Sequence, residues 1–79
     1  MITVRFFAAV REIMGRDSLQ FHLPATSLTA SEILSAVAGE RLNDLPKPLL
    51  VAINYQHAEP TQTICDGDEV AFFPPVSGG

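Results

Sequence analysis

The chain has 79 residues, 47% of them hydrophobic, enough for one small domain with its own core. Its net charge is −4 and its single lysine is Lys47, which argues against nucleic-acid binding, since such surfaces carry basic patches. The lone cysteine, Cys65, rules out an internal disulfide framework, and His22 and His57 stand too far apart in sequence to suggest a zinc site, so no bound metal or cofactor and a reducing, cytoplasmic location are expected.

Residues 1–7 alternate, with Ile2, Val4 and Phe6 on one side and Thr3, Arg5 and Phe7 on the other. That period of two predicts a strand with one buried face. Val10, Ile13 and Met14 at helical spacing predict a short helix over 8–14, stopped by Gly15. Leu19, Phe21 and Leu23 alternate again over 18–23, a hairpin-like partner for the first strand. Thr29-Ala30-Ser31-Glu32 has the form of a capping box, in which hydroxyl and carboxylate each satisfy a free helix amide. Ala30, Ile33, Leu34, Val37 and Ala38 then form the apolar stripe of the main helix, which Gly39 ends. Residues 42–48, with Pro46 and Pro48, read as a loop, and 49–54 as an apolar strand. Residues 55–63 read as a turn and short edge segment, limited by Pro60. Asp66-Gly67-Asp68 is a turn before the last strand, 69–73.

The longest apolar run, 70–76, contains two prolines and falls far short of the roughly 20 residues needed to span a membrane. Residues 1–10 include Arg5 and lack a small-residue cleavage pattern, so they do not read as a signal peptide. No membrane association is expected. The acidic balance suits a partner with a basic docking surface.

Chemistry concentrates at the C-terminal end. Pro74 and Pro75 cannot continue a ladder and favour extended backbone, so the chain is expected to leave the sheet at Phe73. The domain is therefore placed at 1–73 and a flexible tail at 74–79. Pro74, Pro75, Val76, Ser77, Gly78 and Gly79, at about 3.3 Å each, can reach roughly 20 Å into another protein's site. Gly78 and Gly79 are a poor end for a packed element, because glycine has the most backbone entropy to lose and nothing to bury. They suit a thin arm that presents the Gly79 carboxylate. That carboxylate, with a pKa near ~3.5, is ionised and a poor electrophile. It must be activated, and an acyl-adenylate is the expected form, before it accepts sulfur or an amine. The chain has no phosphate-binding glycine loop and no nucleophile–base pair, so it is not expected to be an enzyme alone. ATP and a nucleotide-using partner are implied.

Phe7 and Phe73 each oppose the buried side of their strands. If those strands are neighbours, the two rings form an exposed patch at the root of the tail, suited to docking. Arg11, on the polar side of the short helix, joins its rim or stays solvated. Cys65, beside Ile64, is expected to be a small buried residue rather than a sulfur relay, with no neighbouring cation to activate it. His57 is expected in solvent at a turn, and Asp66, Asp68 and Glu69 serve the turn or meet a basic partner.

The string Asp66-Gly67-Asp68-Glu69-Val70-Ala71-Phe72-Phe73-Pro74-Pro75-Val76-Ser77-Gly78-Gly79 resembles the C-terminal signature of the small, sulfur-carrier subunits of molybdopterin synthase. Residues 4–12 and 49–54 resemble that family's opening and middle strand. The resemblance implies an α+β, ubiquitin-like β-grasp fold, a mixed sheet packed on one main helix with the first and last strands as central neighbours. It implies that a ubiquitin-activating-like enzyme adenylates Gly79 and that a sulfur donor converts it to a thiocarboxylate. It also implies that the tail enters the large catalytic subunit, in a heterotetramer of two small and two large subunits, and delivers sulfur to cyclic pyranopterin monophosphate. Phe7, Arg11 and Phe73 would face the partner. Relatives often carry an apolar residue where His57 stands. A carrier for another sulfur pathway, a ubiquitin-like modifier of lysines and a plain interaction domain remain alternatives at this point.

Overall fold

The computed structural model describes residues 1–24 and 27–75. Alternation becomes a sheet where it was expected. β1 (Ile2–Phe6) buries Ile2, Val4 and Phe6. It pairs antiparallel with β2 (Ser18–Phe21) and parallel with the last strand, β7 (Glu69–Phe73), in a register that sets Phe6 beside Phe72. β4 (Leu50–Ile53) pairs antiparallel with β7 on its other side and with β5 (Gln56–Ala58) at the edge. The strand order β2-β1-β7-β4-β5 makes the first and last strands central neighbours, a mixed sheet of the β-grasp kind.

Between β1 and β2 lies α1 (Ala8–Met14), which buries Val10 and Met14. Gly15 closes it in the left-handed conformation, φ 76°, and its N–H donates to the Arg11 carbonyl. The main helix, α2 (Ala30–Ala38), begins at Thr29 with both halves of the capping box in place. The Glu32 N–H donates to the Thr29 hydroxyl at 3.2 Å, and the Thr29 N–H donates to the Glu32 carboxylate at 2.8 Å. Ala30, Ile33 and Ala38 are buried, with Leu34 and Val37 half-buried against the same core. Helix and inner sheet face together enclose one apolar cluster with no buried polar or charged residue among those described.

Three features depart from expectation. Residues Leu28–Thr29 (β3) and Thr63–Ile64 (β6) form a second, two-stranded sheet that anchors the start of α2. The Gln62 and Pro60 carbonyls accept from the Ala30 and Ser31 amides, groups a helix N-terminus leaves free. Second, α2 runs on into a 3₁₀ turn, Gly39–Asp44, so that Leu42 packs on the core before the chain reaches buried Leu45. Third, Cys65 is exposed rather than buried. Ile64 takes the inward position, and the next residue necessarily faces out as the chain enters its turn.

Candidate functional site

Among the described residues no helix lies on the outer face of the sheet, and the strand registers lay its side chains out in rows. Period two turns Val70 and Phe72 inward, fully buried, and leaves Glu69, Ala71 and Phe73 on the outer face. At the far end of β7 the row is polar: Gln20, Thr3 and Glu69, with Asn54 beside Glu69. The Gln20 amide donates to the Thr3 hydroxyl at 3.0 Å. The middle row crosses the sheet as Arg5, Ala71, Ala52 and His57. The row nearest the tail holds Phe73 and Leu50, with Phe7 at the end of β1. The face thus grades from polar to apolar toward the point where the chain leaves β7.

Phe7 is 46% exposed. It is the N-cap of α1, and its N–H donates to the Phe72 carbonyl at 3.3 Å, which carries the β1–β7 pairing one residue past β1. The chain turns into α1 with no loop. Ala8 takes φ 52°, a left-handed conformation unusual for a residue with a Cβ. This sharp pivot leaves Phe7 on the surface while Phe6 stays in the core.

Phe73 is half-buried, and its ring meets His57 edge-on, with centroids 5.9 Å apart and planes at 63°. Sequence reasoning paired Phe73 with Phe7 and left His57 in solvent. The structure keeps His57 exposed but places it on β5, and the ring contact among the described residues is His57–Phe73. A signal was available. Asn54-Tyr55 can form a two-residue hairpin loop, and inward Val51 then opposes Ala58, which sends His57 to the outer face.

Arg11 is exposed and lies 3.6 Å from the Asp17 carboxylate, a loose surface pair. Arg5 pairs with Glu69 at 3.1 Å across the outer face. Pro74 is half-buried and Pro75 exposed. Val76, Ser77, Gly78 and Gly79 lie outside the described residues. At the opposite end of β7, the Met1 ammonium donates a hydrogen bond to Asp66 and holds that carboxyl below the usual carboxylate range. Among the described residues no group of three or more His, Cys, Asp or Glu could hold a metal ion, and no helix is long and apolar enough to cross a membrane.

Among the described residues, the outer face is thus aromatic-edged where β7 gives way to Pro74 and Pro75. Comparison with known proteins places the chain in a family. Residues 4–79 match the ThiS family. The chain is 40% identical to the molybdopterin synthase sulfur carrier subunit of Escherichia coli, over the whole of both chains. It is 41% identical to the subunit of the same name from Haemophilus influenzae, again over the whole of both. Among solved structures, SAMP1 of Haloferax volcanii, a small archaeal modifier protein, superposes with a TM-score of 0.77 at 28% identity, covering 99% of this chain and 98% of the other.

Proposed function

Because the chain belongs to the ThiS family and stands among the molybdopterin synthase sulfur carrier subunits, we propose that it carries sulfur on Gly79 for the synthesis of molybdopterin. The observation that carries this reading is the full-length likeness to the two bacterial carriers, which runs through the whole tail to Gly79.

The chemistry is as follows. The ionised Gly79 carboxylate attacks the α-phosphate of ATP in a ubiquitin-activating-like partner, forming an acyl-adenylate and releasing pyrophosphate. A sulfur donor then displaces AMP, and the terminus becomes a thiocarboxylate. Gly78 and Gly79, without side chains, pass along the narrow channel of the large catalytic subunit. There the sulfur leaves for cyclic pyranopterin monophosphate, and the hydrolysed terminus returns as a carboxylate. Phe7, Phe73 and Arg11 serve docking, and Pro74, Pro75, Val76 and Ser77 span the distance. The chain binds no cofactor of its own, and ATP belongs to the activating partner. The working assembly pairs two small with two large subunits.

The likeness to SAMP1 supports a second use of the same activated carboxylate, transfer to lysine amines. One experiment separates the readings. The protein is incubated with ATP, its activating enzyme and a sulfur source, and its intact mass is taken. A gain equal to the difference between sulfur and oxygen, localised to Gly79, is expected. No gain, from an activating enzyme competent on another carrier, sinks the carrier reading. Lysine-linked conjugates in its place favour the modifier.

A further inference from the structure

His57 is a polar group beside the apolar end of the outer face, with no side-chain hydrogen-bond partner among the described residues. Arg5 and Glu69, the charged pair on that face, are matched to each other. Thr3 and Gln20 bond each other. His57 neighbours Ala52, Leu50 and the Phe73 ring, and it lines a depression that Glu59 and Gln62 also line. The contact with Phe73 restricts the imidazole at the edge of the aromatic row.

In either tautomer a neutral imidazole has one N–H donor and one acceptor nitrogen. In the free protein, water satisfies both. A partner that covers Phe73 covers a ring whose centroid is 5.9 Å from that of His57, so it strips much of this water. A donor dehydrated without an acceptor weakens binding, and an acceptor on the partner without a donor does the same.

Resting on the carrier reading above, we propose that His57 is a specificity residue for the large catalytic subunit, which presents a hydrogen-bond acceptor oxygen opposite His57 beside the apolar surface that receives Phe73. An exposed imidazole beside Ala52, Leu50 and the Phe73 ring discriminates by penalty. A partner whose matching surface is wholly apolar would dehydrate His57 with nothing in return. The cognate partner supplies the oxygen, and so the pair selects itself.

Calorimetric titration of the molybdopterin synthase large subunit with the wild-type chain, His57→Leu, His57→Gln and Phe73→Ala tests this. His57→Leu keeps the bulk and removes the donor, and it is expected to weaken binding by at least about tenfold. His57→Gln retains an N–H donor and is expected to stay within about threefold of wild type. Because His57 is exposed, the unfolding midpoint of each His57 variant should be unchanged, which separates recognition from folding. Leucine binding as tightly as histidine, or more tightly, would show an apolar seat and overturn the proposal. Equal losses in leucine and glutamine would show that ring shape, not the donor, matters, and would overturn it too. Loss in Phe73→Ala together with an unaffected His57→Leu confines the failure to His57. A wild-type chain that does not bind the large subunit overturns the carrier reading itself.

Discussion

Phe72 and Phe73 are consecutive, yet the pleat assigns them to opposite sides of the sheet. Phe72 is fully buried, set beside Phe6 on β1 and Val51 on β4. Phe73 is half-buried on the outer face against His57. Phe72→Ala should cost about 3–5 kcal/mol, because it removes a ring from a closed core and leaves a cavity. In a domain this small, that approaches the whole stability. Phe73→Ala should cost less than about 1.5 kcal/mol of stability, since less of the ring leaves water on folding. It should weaken large-subunit binding by about 2 kcal/mol or more, as truncation of an aromatic anchor does. Urea unfolding and calorimetric binding of both variants check the pair. A large stability loss in Phe73→Ala with unchanged binding would mean that the outer face is not the docking surface. The two faces were legible in the sequence because a period of two needs only the neighbouring residues. The partner of Phe73 was less legible, because it depends on a hairpin register set two strands away.

At the level of elements, the β4–β5 hairpin and the turn before β7 are tied by one carboxylate. Asn54 and Tyr55 take φ 52° and 70°, the left-handed pair that a two-residue type I′ loop requires. Tyr55 is a costly residue for that conformation, and it is 85% exposed. Asn54 anchors the loop. Its amide donates to one Asp68 oxygen at 3.0 Å, and its carbonyl oxygen accepts from the Glu69 N–H at 3.0 Å. The other Asp68 oxygen accepts from the Cys65 N–H at 2.8 Å. Asp68→Ala removes both acceptors and should cost about 1–2 kcal/mol, read as a lower urea midpoint at unchanged slope. Asp68→Asn, which keeps one acceptor oxygen, should recover part of the loss. An unchanged midpoint in Asp68→Ala would show that water replaces both bonds without cost. The capping box of α2 was readable because its residues lie three apart. β3 and β6 were not. Each has two residues, too few to show alternation, and the pairing of Leu28 with Ile64 joins distant parts of the chain. The 3₁₀ turn was also hidden, since Gly39 reads as a helix stop whether or not the chain coils on beyond it.

Across the whole molecule, the parallel pairing of β1 with β7 brings residues from the two ends of the chain into the centre of the sheet. The core residues described run from Ile2 to Phe72. β7 has a neighbour on both sides as far as Phe73, where its pairing with Leu50 ends. Pro74 and Pro75 have no N–H to extend either ladder. If the fold is complete where the proposed arm begins, removing residues 76–79 should separate stability from function. A chain ending at Pro75 should keep its unfolding midpoint, since surface changes remote from packed or bonded groups stay within about 0.5 kcal/mol. It should still bind the large subunit through the outer face, though more weakly for want of the inserted arm, and it should gain no sulfur on incubation with ATP, activating enzyme and sulfur source. Thermal unfolding, binding and intact mass on the same preparation read the three expectations together. A midpoint lowered by several degrees would mean that residues 76–79 pack against the domain, and the division between fold and arm would fall. Sulfur incorporation by the truncated chain would move the reactive atom away from Gly79, and the exposed thiol of Cys65 would become the first group to test in its place.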